Sequence, residues 1–407
     1  MNLLIRNARL HSDTVVDIAI DKGLIVKLEP NIPEKSGQEI DAKENLVLPA
    51  FVNGQLHSCK VFWRRGLSKL SKNVQALPRF EAAHYVKQNY TVEDVVGRVD
   101  DVMRLAILNG TCAIRLFADV DEDSGLVALK GLLEIKKKYS HILTVQVAAF
   151  PQDGVFGGQT KILMREAFEL GADVVAGIPW IEKTNEAKKA HAEMCFELAK
   201  EFDKPLHIVC DDTADKDSKT LETITRQTLL YGFEGRVAVT QCASLAFQDD
   251  AYAKEMIGLL KDAGITVFSN SHVSLITTEV EQEPRPRGIT RIQELLKVGV
   301  PVACAQDDID NWYYPFGQND MLEVAQFMAH SGGFPWGDYK GVLPMVTDIP
   351  ARVLGLEYGL EVGKPANLVL LNANNWHEAL QFQADKRVVI LRGRVVATTE
   401  RQETIYI

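Results

Sequence analysis

Short runs of β-branched and apolar residues recur along the middle of the chain, separated by helix-like segments. Beyond a long first gap the runs begin about every 30 residues, at 46–52, 111–116, 143–148, 173–178, 206–210, 237–240, 265–268 and 300–304. That interval accommodates a strand, a crossover helix and two loops, which is typical of parallel strands. Eight strands of this kind close into a barrel. The pattern therefore predicts an α/β protein whose middle is a (β/α)8 TIM barrel.

Both ends of the chain carry short strand-like runs of another kind. Apolar runs at 3–8, 15–20 and 24–28 are matched near the C-terminus by 366–371, 387–391 and 395–397, with turn signals between them. Close spacing through turns favours hairpins over helical crossovers. We therefore expect residues 1–48 and 352–407 to form one composite β-sandwich domain, beside a barrel domain spanning 49–351. A loop-like insertion is predicted at Glu281–Arg287.

The composition excludes several classes of protein. The chain has 407 residues, with 45 basic against 55 acidic side chains and a net charge of −10, which argues against a nucleic-acid partner. No apolar run reaches the roughly 18–20 residues that a membrane span needs. Six cysteines without any CxxC pair indicate neither a disulfide framework nor a thiolate zinc site. We expect a cytoplasmic protein that interacts with no membrane.

A TIM barrel places its chemistry at the carboxyl ends of its strands. A metal-dependent hydrolase needs several imidazoles and a carboxylate to converge there. In this sequence the polar candidates at the strand ends are one imidazole, two carboxylates and three amides, namely His57, Asp212, Asp307, Gln55, Gln152 and Gln241. Trp312, in the loop after the last strand, can wall a pocket for a planar ligand.

Several stretches carry a resemblance to a known family: Leu48–Val52, Val147–Gly154, Gly171–Val175, Gln306–Asp308, Trp312–Gly317 and Tyr358–Leu368. In this order and spacing the chain resembles the cytosine deaminase-like branch of the amidohydrolase superfamily, which includes the isopropylammelide amidohydrolases. The resemblance covers nearly the whole length. It implies a barrel of the metal-dependent hydrolase type with a flanking β-sandwich, a mononuclear Zn or Fe site, deamination of a ring amidine, and a homo-oligomer.

The resemblance also implies individual roles. His57 matches the second histidine of the family's His-x-His pair, and Asp307 matches its metal-binding aspartate. Gln152 matches a glutamine that hydrogen-bonds the base, and Asp212 stands where the family has a proton-shuttling glutamate. The departures lie at three ligand or water-orienting positions and at one neighbour of the metal aspartate, which here are Gln55, Val209, Gln241 and Gln306.

These departures bear directly on the metal. Valine has no lone pair, and amide oxygens bind Zn or Fe(II) poorly compared with imidazole. We therefore expect no tightly bound metal, with His57 and Asp307 as residual ligands only. Strand alternation turns Cys210, Cys242 and Cys304 away from the barrel interior and leaves Cys59 alone within reach of the pocket. His207 is interpreted as a core histidine. Without a cation, Asp307 needs another partner, and His57 is the first candidate.

Three hypotheses on function remain open. The first is a hydrolase of the deaminase type, acting on a non-peptide C–N bond of a small cyclic amidine or lactam such as a pyrimidine or triazine. Its activity would be weak, metal-independent or absent. Asp307, Asp212 and His57 would then be catalytic, while Gln152, Gln241, Gln55 and Trp312 would bind the ring. The second is a non-catalytic binder of a nucleobase-like ligand, favoured by the retained hydrogen-bonding capacity of the glutamines. The third is a structural pseudoenzyme.

Overall fold

The computed structural model describes residues 1–63, 74, 77, 79–155, 158–277, 288–335 and 339–406. The insertion predicted at Glu281–Arg287 lies outside these residues. The strands are β1 (Leu3–Arg9), β2 (Val15–Asp21), β3 (Leu24–Glu29), β4 (Glu39–Asp41), β5 (Val47–Pro49), β6 (Phe51–Leu56), β7 (Thr111–Asp119), β8 (Thr144–Phe150), β9 (Val174–Gly177), β10 (Leu206–Cys210), β11 (Val237–Gln241), β12 (Thr266–Phe268), β13 (Val302–Ala303), β14 (Leu368–Leu371), β15 (Lys386–Leu391) and β16 (Arg394–Thr398).

Most of the helices lie between the strands of the middle region. They are α1 (Arg79–Lys87), α2 (Val92–Leu108), α3 (Val127–Tyr139), α4 (Gln159–Glu169), α5 (Asn185–Glu201), α6 (Thr220–Tyr231), α7 (Asp250–Asp262), α8 (Ser271–Thr277), α9 (Ile292–Val298), α10 (Met321–Ser331), α11 (Asp348–Val353) and α12 (Trp376–Phe382). Short 3-10 turns occur at Ser58–Lys60, Pro179–Ile181, Ala243–Phe247 and Lys340–Val346. Among the described helices, none is both long and apolar enough to cross a bilayer.

Strands β6 to β13 form an eight-stranded parallel sheet in chain order. The sheet closes through a bridge between Leu56 and Asp307. Here the backbone N–H of His57 donates to the Asp307 carbonyl at 2.7 Å, and the N–H of Asp307 donates to the Gln55 carbonyl at 3.0 Å. The predicted (β/α)8 barrel is confirmed, and its seam passes through three residues that the sequence marked as site candidates.

The first predicted strand, 46–52, is wrong as a single element. The chain changes sheets at Ala50: β5 pairs with β14, whereas β6 pairs with β7 in the barrel. The N–H of Ala50 donates to Asn367 and the N–H of Phe51 donates to Gly110, so consecutive residues serve different sheets. A continuous apolar run does not reveal such a switch, because both strands are buried.

The chain ends form two further four-stranded sheets, ordered β3-β2-β1-β4 and β16-β15-β14-β5. The first is mixed, since β1 pairs antiparallel with β2 and parallel with β4. Residues of both sheets, among them Ile5, Ile18, Val47, Leu368 and Ile390, share one buried cluster. The domain boundaries at 48/49 and 351/352 stay a prediction.

Packing of the barrel strands decides which side chains can reach the mouth. Cys210, Cys242 and Cys304 belong to the large core cluster that also contains helix residues. The interior is filled instead by small clusters that include Phe117, Phe150, Val209 and Phe268. Gly54 has no side chain where the ring of Phe268 crosses the barrel, and a Cβ there would collide with that ring. The described residues of the interior thus form a packed core.

Candidate ligand site at the mouth of the barrel

A cavity of about 670 Å³ opens at the carboxyl ends of the barrel strands. This volume suits a small-molecule ligand. All seven residues predicted as site residues line it: Gln55, His57, Gln152, Asp212, Gln241, Asp307 and Trp312. Val209 lines it as well, so an apolar side chain occupies the place to which the resemblance assigns a ligand after the fifth strand. The cavity walls further include Lys60, Lys87, Asp308 and Tyr313.

Asp307 lies at the floor of this cavity with 1% of its surface exposed. Its Oδ1 accepts a hydrogen bond from Gln55 Nε2 at 2.7 Å, and its Oδ2 accepts one from Gln241 Nε2 at 2.7 Å. His57 Nε2 is 3.5 Å from Oδ1. The expected contact with His57 is present, but the two amides lie closer. The glutamines therefore compensate the buried carboxylate directly.

A further layer of polar groups holds the two amides. Asn270 Nδ2 donates to Gln55 Oε1 at 3.2 Å, and Ser274 Oγ donates to Gln241 Oε1 at 2.9 Å. Both residues are buried. They belong to the segment after β12, Asn270 just before α8 and Ser274 within it. The floor is therefore a connected network of amides and hydroxyls around one carboxylate.

The backbone at two of these positions is left-handed. Asp307 has φ 63° and Gln241 has φ 70°. Conformations of this kind cost about 1–3 kcal/mol for residues other than glycine and cluster at functional sites. At both strand ends the turn aims the side chain at the floor of the cavity.

Burial dominates the electrostatics of the floor. It raises the pKa of Asp307 well above its usual range, and the charges of Asp308 and Asp212 raise it further, against hydrogen bonds that lower it. Burial lowers the pKa of His57 well below its usual range, helped by the positive charge of Lys60. The imidazole is therefore neutral at neutral pH. The site holds a carboxyl group with a strong tendency to take a proton, next to an uncharged base.

The donor set does not fit a tightly held mononuclear metal. Val209 offers no lone pair, and the amide N–H groups of Gln55 and Gln241 point at the two oxygens of Asp307 where a cation would bind. Cys59 does not replace a ligand, because its Sγ accepts from the backbone N–H of Asp119 at 3.5 Å and does not line the cavity.

A second ion-pair network lies in the same cavity wall. The Lys60 ammonium is 3.4 Å from Asp119 Oδ1, and both residues are almost fully buried. Lys60 also donates to Gln152 Oε1 and lies 5.3 Å from the centre of the Tyr313 ring. Burial raises the pKa of Asp119 to about 6, opposed by the charges of Lys60 and Lys87. Because Oε1 of Gln152 is engaged by Lys60, its Nε2 group is the part of the amide that can donate a hydrogen bond to a ligand.

Lys87 extends this network toward the rim, where its ammonium pairs with Asp121 at 2.9 Å and also contacts Asp153. His84, Asp123 and Asp153 place ligand atoms within 4.8 Å of one another there. His84 and Asp153 are exposed, and Asp153 already has an ammonium partner. The rim group is therefore a surface cluster in which Asp153 is already paired with an ammonium.

Beneath the floor, His207 is a fully buried core histidine, as the sequence suggested. Its Nδ1 accepts from the Arg115 guanidinium at 3.1 Å, and its ring packs 4.8 Å from that of Phe268. Gln306, which follows the same strand end as Asp307, does not line the cavity; its Nε2 donates to the Asp308 carbonyl at 3.2 Å. Neither residue touches the space available to a ligand.

Aromatic side chains form one wall of the cavity. Trp312 packs edge to face on Trp63, with ring centres 5.5 Å apart, and next to Tyr313 at 6.0 Å. Trp180 and Phe150 also line the cavity. Flat apolar walls around a few fixed polar groups are the usual build of a site for a ring-shaped ligand.

Comparison with known proteins identifies the family of the chain. Residues 38–397 match the family model described as amidohydrolase family. The chain belongs to the amidohydrolase family. It is 30% identical to N-isopropylammelide isopropyl amidohydrolase of Pseudomonas sp. (strain ADP) over 98% of both chains. It is 29% identical to pterin deaminase of Rhizobium rhizogenes, over 93% of this chain and 87% of that one.

A solved structure extends the likeness to the fold. The crystal structure of 5-methylcytosine deaminase from Klebsiella pneumoniae, liganded with phosphonocytosine, is similar with a TM-score of 0.91 and 28% identity. The match covers 99% of this amidohydrolase and all of that chain. Relatives of this kind act on small ring compounds, as their names state.

Proposed function

We propose that this amidohydrolase binds a small planar nitrogen heterocycle of the cyclic amidine or lactam class and hydrolyses a C–N bond of it. One observation carries the proposal: a ligand-sized cavity at the barrel mouth has a buried carboxylate, Asp307, at its floor and aromatic side chains along its wall. The deaminase and amidohydrolase names of the relatives support the same class of substrate.

Recognition of the ring is assigned to the aromatic wall and the amides. Trp312 would stack on or abut the ring face. Gln152 accepts from Lys60 through Oε1, so its Nε2 is the group free to donate to an oxo oxygen or ring nitrogen. Gln55 and Gln241 are already engaged with Asp307, and each of them would offer the ring at most one remaining N–H. The site would thus favour a ring edge that presents acceptors.

The chemistry is assigned to Asp307 with His57 and Asp212. A carboxylate oxygen has two lone pairs, so the amide bonds leave Asp307 able to accept a proton. Asp307 would take a proton from a water molecule that His57 positions, while the water oxygen attacks the ring carbon bearing the exocyclic nitrogen. Asp212 would deliver a proton to that nitrogen. The C–N bond then breaks and the amine leaves. The remaining proton of the added hydroxyl moves to a ring nitrogen, which leaves a carbonyl on the ring, and the proton held by Asp307 returns to Asp212. The step uses no metal ion.

The second candidate is a binder without turnover. It is favoured by the same contacts: both oxygens of Asp307 accept from amides at 2.7 Å, and Val209 stands at a ligand position of the family. Both candidates need the same pocket, so binding alone cannot separate them.

A two-part experiment tests the proposal. The purified protein is titrated with cytosine, isocytosine and aminotriazines by calorimetry and thermal shift, and release of ammonia or amine is then measured. General-base catalysis contributes about 10²–10⁴-fold in rate. We therefore expect the wild type to release amine and Asp307→Asn to lose at least about 100-fold of that rate.

Each outcome has a distinct meaning. Binding weakened by Trp312→Ala, without amine release, favours the binder. Binding of no member of the panel, with a folded protein, contradicts both candidates. Release that persists unchanged in Asp307→Asn contradicts the assigned chemistry while leaving the ligand class standing.

A further inference from the structure

Asn270 lies at the centre of the hydrogen bonds beneath the floor. It is fully buried and follows β12, just before α8. Its Oδ1 accepts from the backbone N–H of Ala305 at 2.9 Å. A backbone N–H can only donate, so the amide of Asn270 has one orientation in this place. Its two Nδ2 hydrogens are therefore directed at Gln55 Oε1 and Thr240 Oγ1, both at 3.2 Å.

The fixed orientation of the Asn270 amide in turn fixes the orientation of the Gln55 amide. Because Gln55 Oε1 accepts from Asn270, Gln55 Nε2 must face Asp307 Oδ1, at 2.7 Å. Turning the Gln55 amide over would place two N–H groups against each other and an oxygen against a carboxylate. Each buried polar group left without a partner costs about 1–3 kcal/mol. We call the hydrogen bonds from Ala305 to Asn270, from Asn270 to Gln55 and from Gln55 to Asp307 the relay. The orientation of both amides in the relay is fixed, and in this sense the relay is locked.

The opposite side of Asp307 is not locked in this way. Gln241 Oε1 meets the hydroxyl of Ser274, which can donate or accept. The amide of Gln241 can therefore turn over if its surroundings change. The two amides that face Asp307 differ in this one respect.

We propose that Asn270 is a positioning residue that excludes a divalent cation from this site, by fixing the N–H side of Gln55 on Asp307. The inference deepens the proposed function, since it states why the site works without a metal. A cation and an N–H hydrogen cannot share one lone pair of Oδ1, and the positive end of a Gln55 N–H held at 2.7 Å from this atom also repels a cation that approaches its second lone pair. The relay in this orientation therefore opposes cation binding at Oδ1. The relay acts in addition to the missing lone pair at Val209, which also lines the cavity.

The substitution Asn270→Asp reverses the relay with almost no change in shape. One oxygen of the new carboxylate still accepts from Ala305, and the other now requires a donor. Gln55 turns over to supply it and presents Oε1 toward Asp307, so that the oxygens of these two residues converge. Changes next to metal ligands alter affinity about 10–100-fold. We expect Asn270→Asp to bind Zn²⁺ or Co²⁺ at least about tenfold more tightly than the wild type.

The experiment measures metal bound to the purified protein after dialysis, by elemental analysis and by titration with Co²⁺ monitored by absorbance. Ser274→Ala is the matched control, because it removes the partner of the unlocked amide and leaves the relay intact; it should gain no metal. Adding Asp307→Asn to Asn270→Asp should abolish the gain. A structural role alone would lower stability without creating a metal site.

Several outcomes would overturn the inference. One is a folded Asn270→Asp protein with the metal affinity of the wild type. Another is a wild type that itself holds one Asp307-dependent ion per chain. If Asn270→Asp does not fold, Gln55→Glu removes the same N–H and must gain metal; a folded Gln55→Glu protein without such a gain also refutes the inference. None of these readouts needs a ligand, so failure here is distinct from failure of the proposed function.

Discussion

Two buried carboxylates lie close to the cavity at the barrel mouth and have different kinds of partner: Asp307 lines the cavity, and Asp119 lies behind it against Lys60. Asp307 lies between two neutral amides and a neutral imidazole, whereas Asp119 lies against the ammonium of Lys60 and in the field of Lys87. Both are at most 1% exposed. Burial raises the pKa of both, to about 6 for Asp119 and well above the usual range for Asp307.

The difference shows what each kind of partner can do. An ammonium offsets the charge of a buried carboxylate, while an amide only solvates it, as water would. Asp119 therefore remains charged at neutral pH and holds Lys60 in place. Asp307 keeps a strong affinity for a proton, which is the property that a general base needs.

The largest expected effect comes from breaking the charged pair. Removing one partner of a buried ion pair costs about 3–5 kcal/mol, because the other charge is left without compensation. We therefore expect Lys60→Met to lower the free energy of unfolding by that amount, measured by urea denaturation. Lys136→Met is the control, since the Lys136–Asp173 pair is about one third exposed and contributes at most about 1 kcal/mol. Equal losses in the two variants would contradict the comparison.

The next prediction concerns pH. The unfolded chain has the ordinary aspartate pKa near 3.8, and the folded state holds Asp119 at about 6. The folded state thus binds the proton more tightly, so this contribution to stability is fully present below pH 4 and is lost as pH rises through about 6. One pKa unit corresponds to about 1.4 kcal/mol, giving about 3 kcal/mol in all.

The measurement compares wild type with Asp119→Asn in urea denaturation between pH 4 and 7. The difference in unfolding free energy, wild type minus variant, should grow as the pH falls. A difference that stays constant over this range would mean that the lysines hold the pKa of Asp119 at its ordinary value.

The smallest expected effect is a difference in stability between variants of Gln55 and Gln241, the two amides that donate to Asp307. A buried polar group left without its partner costs about 1–3 kcal/mol, so Gln55→Met and Gln241→Met should each cost about that much. Gln55→Met should cost more, because it also leaves a hydrogen of the fixed Asn270 amide without a partner, whereas the Ser274 hydroxyl can rotate. Unfolding free energies at neutral pH check the order; the reverse order would contradict the locked relay.

Much of the fold follows from sequence periodicity. The eight strands of the barrel lie where the apolar runs predicted them, because a buried parallel strand needs a short apolar run and a crossover needs about a helix length. The exception is the run at 46–52, where the chain passes between sheets at Ala50 without any change in hydrophobicity. Residues at strand ends likewise led to the cavity lining, since parallel strands end on one side of the barrel.

What the sequence could not supply is the pairing within the cavity. Lys60 follows the first barrel strand in a 3-10 turn, and a lysine in such a place is ordinarily interpreted as a surface residue. Asn270 follows the apolar run at 265–268, but its importance depends on a backbone N–H of Ala305 in the segment after the neighbouring strand. The direction of an amide is a property of its surroundings and has no signature in sequence.

The barrel seam has one more consequence. Because the hydrogen bonds that close the cylinder run through the main chain of Gln55, His57 and Asp307, the catalytic candidates of the floor share their rigidity with the scaffold. A displacement of any of these residues by an ångström would break the main-chain hydrogen bonds that close the barrel. Ligands of different size must therefore be accommodated by movement of the aromatic side chains at the rim, such as Trp312 and Tyr313. The residues at the floor of the cavity keep their positions.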